Sequence, residues 1–194
     1  MRIPSRRANP VSLPAYAGEV LARIQAAFSH AVESSPSVDW PTLVVDRASV
    51  VDVCRFCRDE PALLFNFLTD VTGVDWLGRS PRFEVVYHLF SLSFNRRMRL
   101  KVRLPEDDPK LPTTIGVWPT ANWHEREVFD MYGIVFEGHP NLQKILTPDF
   151  MEGHPLRKDF PLGDEEIWDA EGGSIVQPPG SYRPVDPEGV KRFR

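Results

Sequence analysis

The chain has 194 residues, 42% of them hydrophobic and 26% charged, which is typical of a globular protein with one domain and an extension. Its formal net charge of -4 argues against a dedicated nucleic-acid-binding protein, because such proteins are usually basic. No apolar run approaches the roughly 20 residues that span a bilayer, and the first residues lack the apolar segment of a secretory signal, so we expect a cytoplasmic protein.

The first third of the chain predicts two helices separated by a short strand. Residues 1–14 contain three prolines and no periodicity, so we expect a loose arm. Apolar residues at helical spacing predict one helix over 16–30 and a second over 48–59. Between them, residues 42–45 have the composition of a β-strand.

The only two cysteines, Cys54 and Cys57, fall on the apolar stripe of the second predicted helix. An iron–sulfur cluster normally takes four thiolates and a structural zinc site four nitrogen or sulfur ligands, so this pair alone cannot supply either. We therefore interpret both cysteines as small buried hydrophobic side chains, and we expect no cofactor.

The middle of the chain predicts a mixed or antiparallel sheet with helices on one face. Residues 71–76 read as a strand, residues 83–104 as an antiparallel hairpin, and a further strand is expected near 114–118. The first hairpin strand is apolar on both faces. The return strand alternates apolar residues with a basic row: Arg97, Arg99, Lys101 and Arg103.

This basic row admits three interpretations. It is most often a solvated face that also limits edge pairing; the others are a contact with a partner or acidic lipid, and an RNA-binding surface. No aromatic residue alternates with the cations in sequence to stack nucleic-acid bases, which disfavours the last interpretation.

Residues 122–133 predict a charged helix. Asn122 is placed to cap its N-terminus with Glu125 reaching back to the cap, and Gly133 to end it in a left-handed conformation. Helical geometry puts Arg126 and Asp130 within pairing distance. One side is apolar, with Val128, Phe129, Met131 and Tyr132, and the opposite side is charged, with Arg126, Glu127 and Asp130.

A metal-dependent hydrolase is an alternative interpretation of this region. His124-Glu125 resembles the start of a zinc-protease HExxH helix, but Val128 stands where the second histidine is required. His124, Glu127, Asp130 and His139 could together surround a metal. We favour no metal site, because His139 and His154 each lie in a Gly-His-Pro triplet whose glycine and proline favour a turn.

The last third of the chain carries eight prolines and little periodicity. We therefore divide the chain into an N-terminal arm (1–14), an α+β domain of two layers (15–135) and a long extended C-terminal arm (136–194). The arm retains many apolar side chains, which predicts an extended segment that buries them on a partner protein.

Two motifs in this region repeat and identify a family. Glu137-Gly138-His139-Pro140 is echoed by Glu152-Gly153-His154-Pro155, which continues as Leu-Arg-Lys-Asp-Phe-Pro-Leu through residue 162. Together with Glu125-Arg126-Glu127, Asp130-Met131-Tyr132-Gly133-Ile134 and Ile145-Leu146, they resemble the signature of the 30 kDa subunit family of respiratory complex I. Gln143 departs from that pattern, where the family often has a basic residue.

The resemblance implies a subunit of the peripheral arm of NADH:quinone oxidoreductase that carries no flavin, cluster or quinone ligand of its own. Its partners would be the quinone-cavity subunit and the iron–sulfur subunits, on the cytoplasmic side of the inner membrane, with membrane association through partners only and no nucleic acid bound. Similar subunits occur in membrane-bound hydrogenases and ferredoxin-linked complexes. The residues expected to dock the partners are Glu125, Arg126, Glu127, Asp130, Gly138, His139, Pro140, Gly153, His154, Pro155, Arg157, Lys158 and Asp159.

Overall fold

The computed structural model describes residues 13–160 and two later strands, Glu166–Trp168 and Ser174–Val176. The chain divides into a first compact unit, Met1–Lys158, and a second, Asp159–Arg194. The helices are α1 (Ala17–Ala27), α2 (Val50–Asp59) and α3 (Ala121–Tyr132). The strands are β1 (Val32–Ser34), β2 (Thr42–Val45), β3 (Phe67–Asp75), β4 (Phe83–Ser91), β5 (Arg96–Leu104), β6 (Lys110–Pro112), β7 (Val135–Glu137), β8 (Glu166–Trp168) and β9 (Ser174–Val176).

Five strands form a mixed sheet in the order β1-β2-β5-β4-β3. The pair β2–β5 is parallel and the other pairs are antiparallel, as expected for a hairpin joined to an earlier strand by a crossover. The predicted α+β fold, with a sheet packed on helices, is confirmed. The predicted hairpin is confirmed as well, with β4 and β5 in continuous register from Phe83↔Leu104 to Ser91↔Arg96.

The core lies between one face of this sheet and the helices. Val85, Tyr87 and Leu89 of β4 are fully buried there, and so are Val20 and Ile24 of α1. Neighbouring α2 contributes Val50, Val53, Cys54 and Cys57, all buried as predicted from their helical spacing. Burial raises the pKa of the Cys57 thiol to about 12, so this side chain is an unreactive neutral thiol at physiological pH.

Two features of the fold differ from expectation after the hairpin. No strand forms near 114–118; the backbone turns there instead, with the amides of Val117 and Trp118 bonded to the Thr114 carbonyl oxygen. Sequence alternation alone did not separate this turn from a strand. The strand of this region is β6, which pairs in parallel with β7 beyond α3.

The predicted boundary at residue 136 lies inside the first compact unit, which extends to Lys158. We name residues 138–158 the strap, because they run back over α3 with hydrogen bonds to it. The predicted N-terminal arm falls largely outside the described residues, and so does most of the C-terminal arm beyond residue 160.

Within the described part of the chain, no helix is both long enough and apolar enough to cross a membrane.

Candidate functional site

Helix α3 begins differently from the prediction. Its N-cap is Thr120, without a side-chain cap, and Glu125 points into the protein, where it is fully buried. The Glu125 carboxylate accepts hydrogen bonds from the Thr113 hydroxyl at 2.5 Å and from the Thr114 amide and hydroxyl at 2.7 Å. Burial raises the pKa of Glu125, although these bonds oppose the effect. The residue therefore fixes the turn after β6 to the helix.

Asp130 is the anchor of the strap. Its side chain is fully buried, and one carboxylate oxygen accepts the backbone N–H groups of Ile145, Leu146 and Thr147 at 2.8–3.0 Å. The other oxygen accepts the Thr147 hydroxyl. The expectation that Asp130 lies on an exposed face and pairs with Arg126 is wrong, because three converging amides offer a buried carboxylate better compensation than one surface cation.

The electrostatics of Asp130 follow from these bonds. Burial by itself would raise the pKa of this carboxyl, but the hydroxyl and amide donors of Thr147 and the amides of Leu146 and Ile145 outweigh it, so the pKa lies below 3.8. Asp130 is thus ionised at neutral pH, and its bonds to the strap are charge-assisted.

The strap also satisfies the carbonyl groups at the end of α3. The helix ends at Gly133, which adopts φ +71°, and its last turn leaves carbonyl oxygens without intrahelical partners. His154 Nδ1 lies 2.9 Å from the Asp130 carbonyl oxygen and must donate to it. The Leu156 amide and the Arg157 Nε donate to the two following carbonyls, at 3.1 and 2.6 Å.

Further contacts fix the two ends of the strap. The Lys158 amide donates to Asp75 Oδ2 at 2.8 Å, and Asp75 itself holds Arg82 in a buried bidentate pair. Near the start of the strap, Arg126 donates to the carbonyls of Gln143 and Lys144, at 3.1 and 3.4 Å. A segment without helix or strand is therefore held to α3 and to β3 at several points along its length.

The first Gly-His-Pro triplet is bonded in a similar way. His139 Nε2 lies 3.2 Å from the Asn122 carbonyl oxygen, at the start of α3, and its Nδ1 accepts the Asn141 amide at 3.0 Å. With Nδ1 accepting, Nε2 carries the proton in the neutral ring. The two histidines therefore bind opposite ends of the same helix.

Comparison with known proteins identifies the family. Residues 43–166 match the family described as the respiratory-chain NADH dehydrogenase, 30 kDa subunit. The chain belongs to this family. The family resemblance drawn from the two Gly-His-Pro segments and helix α3 is therefore confirmed.

Proteins similar to this member of the 30 kDa family carry one name, the C subunit of NADH-quinone oxidoreductase. The protein of that name from Roseiflexus sp. (strain RS-1) is 54% identical over 149 residues, covering 76% of this chain and 86% of the relative. Its counterpart from Xanthobacter autotrophicus (strain ATCC BAA-1158 / Py2) is 49% identical over 164 residues, covering 83% and 78%.

Two solved structures are similar in fold. A trypsin-resistant fragment (1–134) of Nqo5 aligns with a TM-score of 0.54 and 37% identity, covering 64% of this chain and 98% of the fragment. A chain of the membrane-bound sulfane sulfur reductase, an archaeal respiratory membrane complex, aligns with a TM-score of 0.63 and 26% identity, covering 75% and 85%.

The residues predicted from the family signature fall into two groups in the structure. Glu125 and Asp130 are buried, and Arg126, His139, His154, Pro155 and Arg157 are partly buried, with intramolecular bonds for all of them except Pro155. The exposed members are Glu127, Gly138, Pro140, Gly153, Lys158 and Asp159. Much of this family signature therefore holds the strap on α3.

Sequence analysis missed part of the outward surface of this unit. Trp123 of α3 and Leu146 of the strap are each more than 60% exposed, and Phe150 and Leu156 are about half exposed. The only available signal was that apolar residues persist in a segment without periodicity. That signal identified Phe150 and Leu156 as surface-binding candidates but not Trp123, which falls within a helix.

The residues of the alternative metal site do not converge. His124 Nδ1 lies 3.4 Å from Asp70 Oδ1 on β3, Asp130 binds the strap, and His139 binds the start of α3. In the described ranges, no three histidine, cysteine, aspartate or glutamate side chains are grouped as metal ligands would be.

His154 gives a direct test of the strap geometry in solution. Its pKa is lowered below 6.5, first by burial and then by the nearby charges of Arg157 and Lys144, although the bond to the Asp130 carbonyl opposes the shift. The neutral ring is the bound form, so its contribution to stability is present above about pH 6.5 and is lost as pH falls through the folded pKa. We expect an NMR titration of His154 with a midpoint below 6.5. A midpoint above 6.5 would contradict the geometry.

Proposed function

We propose that this chain is a cofactor-free structural subunit of the peripheral arm of proton-translocating NADH:quinone oxidoreductase. It docks and positions the quinone-site subunit and the iron–sulfur subunits, while the chemistry occurs in those neighbours. Membership of the 30 kDa family supports this proposal, as do relatives named as the C subunit of NADH-quinone oxidoreductase at about 50% identity.

One observation carries the proposal. The strap is bonded to α3 through its backbone, which leaves Leu146, Phe150 and Leu156 turned outward on the same unit as Trp123. Large exposed apolar side chains on a segment with polar neighbours are typical of protein interfaces. Each Å² of apolar surface removed from water contributes about 25 cal/mol, so four such side chains offer several kcal/mol to association.

The bonds beneath this surface explain how it would act. A loop that is already ordered loses less conformational entropy on binding than a free segment does, and this increases affinity without new contacts. Asp130, His154 and Arg157 therefore serve docking indirectly, because they hold the strap in a fixed shape. The protein would lie peripherally on the cytoplasmic side of the inner membrane, attached through its partners.

The archaeal sulfane sulfur reductase supports a second candidate, an equivalent subunit in a related membrane-bound hydrogenase or ferredoxin-linked complex. That similarity is at 26% identity, against 54% for the NADH-quinone oxidoreductase protein of Roseiflexus. The NADH:quinone oxidoreductase assignment is therefore the better supported of the two.

A charged side chain introduced into the outward surface tests the docking role. We expect Leu146→Asp to reduce the abundance of assembled complex and NADH:quinone reductase activity in the same proportion, by roughly tenfold or more, because an unpaired carboxylate would be buried at the interface. Abundance is measured by native gel electrophoresis of solubilised membranes, and activity is measured on the same membranes.

The matched control is Val38→Asp. Val38 is 68% exposed and lies between β1 and β2, so the same class of change should leave both abundance and activity unchanged. Full assembly in the presence of Leu146→Asp would overturn the docking role. Normal abundance with lost activity would also overturn it, since that result would place chemistry in this chain.

A further inference from the structure

The face of the sheet that points away from the helices carries a second candidate interaction surface. Three residues paired across neighbouring strands form a row at its end: Phe67 on β3, Phe90 on β4 and Arg97 on β5. The next row on this face is Asp70, His88 and Arg99. A cavity of about 190 Å³ lies at these rows, lined in part by Thr69, Asp70 and His88.

Trp40 crosses this face and contacts its cations. The guanidinium groups of Arg97 and Arg99 each lie 5.3 Å from the centre of the Trp40 ring, and the His88 ring meets its edge at 5.9 Å. The expectation that no aromatic residue accompanies the basic row therefore holds only along the strand, because Trp40 reaches it from the loop before β2.

The cations of this row differ in how their charge is balanced. Arg99 pairs with Asp39 at 3.0 Å, while Lys101 and Arg103 share Glu84, at 2.9 and 3.7 Å. Arg97 is exposed, and its contacts are the rings of Trp40 and Phe90, at 5.3 and 5.6 Å. Among the described residues, no carboxylate lies within ion-pairing distance of Arg97.

A guanidinium held against aromatic rings keeps its N–H edge available for a carboxylate. Cation–π contact fixes the plane of the group without using its donors, so less side-chain entropy is lost when an anion binds. The surroundings are apolar and exposed: Phe67 is 45% and Phe94 41% exposed, and Leu92 is 63% exposed. Arginine and aromatic side chains grouped in this way are typical of the centres of protein–protein interfaces.

We infer that the face around Arg97 and Trp40 docks an acidic segment of a neighbouring protein subunit, with an aspartate or glutamate of that segment bound to Arg97. Charge complementarity selects this occupant: the local row is basic although the chain is acidic overall, at -4. Asp70, paired with His124 at 3.4 Å, repels a carboxylate at the other side of the cavity, which directs the acid toward Arg97.

This inference rests on the proposed function, because the partner would be another subunit of the same complex. It concerns a different surface from the strap, so the two can fail separately. The test places a photo-crosslinking residue in the assembled complex by Thr69→p-benzoylphenylalanine, since Thr69 is exposed at the cavity. A second sample carries the same residue at Leu146 on the strap.

We expect the Thr69 position to crosslink to a segment of another subunit that contains an aspartate or glutamate. Arg97→Glu should lower that yield by roughly tenfold or more, and replacement of the partner's acid by arginine should restore it. Arg103→Glu, the same charge reversal on the same strand, should leave the yield unchanged.

Crosslinks from the Thr69 position only to lipid, only to this chain's own residues, or to nothing would overturn the inference. A partner crosslink that does not depend on the charge of residue 97 would overturn it too. If the Leu146 position still crosslinks to another subunit in those cases, the proposed function stands. If neither position crosslinks to a partner, both fail.

Discussion

Replacement of Asp130 by asparagine is expected to release the strap from helix α3. The carboxylate accepts three strap amides and one hydroxyl in a buried setting, and hydrogen bonds to a charged group contribute about 1.5–3 kcal/mol each. An asparagine has one acceptor oxygen, and its NH₂ group would face donors. We expect the attachment to weaken by about 2–4 kcal/mol.

Amide hydrogen exchange measures this change at the bonds themselves. The amides of Ile145, Leu146 and Thr147 should exchange roughly 10²-fold faster in the Asp130→Asn protein, because each 1.4 kcal/mol corresponds to tenfold in the opening equilibrium. Amides of β4 should change little, since the sheet core does not depend on the strap. Assembly of the complex should fall with the strap's order.

Asp149→Asn is the matched control for this prediction. Asp149 lies on the strap and is exposed, so the same chemical change should leave exchange at residues 145–147 unaltered. Unchanged exchange in the Asp130→Asn protein would show that the strap is held by other contacts, and the role assigned to Asp130 would be wrong.

The elements that were predicted correctly are those whose burial is periodic. Helix α2 repeats its buried residues every three or four positions, and β5 alternates buried apolar with outward basic residues. Such patterns follow from the geometry of one element against one core, so a local window of sequence contains them. The pairing of β2 with β5 comes from a distant part of the chain, and no local window specifies it.

Buried polar groups could not be placed in this way. Asp130 reads as the charged face of a helix until Ile145, Leu146 and Thr147 bring their amides to it, 15 to 17 residues later. Glu125 reads as a capping residue until the threonines before the helix bind it. In both cases a tertiary partner outweighed the local preference, which is where pattern-based inference ordinarily fails.

The same physics explains why a family signature rich in charged residues is largely turned inward. The strap has no core of its own, so its backbone groups must find partners in the domain, and Asp130 and the carbonyls at the end of α3 supply them. Docking specificity would then lie in the side chains that remain outside. Resemblance located the correct segment, but it did not separate these two roles.

Gly133→Ala is expected to disturb the strap from the opposite direction, by steric conflict. Gly133 has φ +71°, which strains any side chain, and an added Cβ would lie 2.4 Å from His154 Nε2 and 2.5 Å from Arg157 Nη2. Left-handed strain costs roughly 1–2 kcal/mol, and displacement of His154 and Arg157 from the α3 carbonyls adds the loss of their hydrogen bonds. We expect a total loss of about 3 kcal/mol in the free energy of unfolding, measured by urea denaturation.

Two other glycines separate the contributions. Gly78 has φ +84° with open space around an added Cβ, so Gly78→Ala should show the backbone strain alone, about 1–2 kcal/mol. Gly18 lies in α1 with open space, and its replacement by alanine should stabilise the protein by roughly 0.5–1 kcal/mol. If Gly133→Ala costs no more than Gly78→Ala, then His154 and Arg157 do not occupy the end of α3 in solution. The strap would then be bound elsewhere, because the close approach of those two side chains to Gly133 is what distinguishes this turn from the left-handed turn at Gly78.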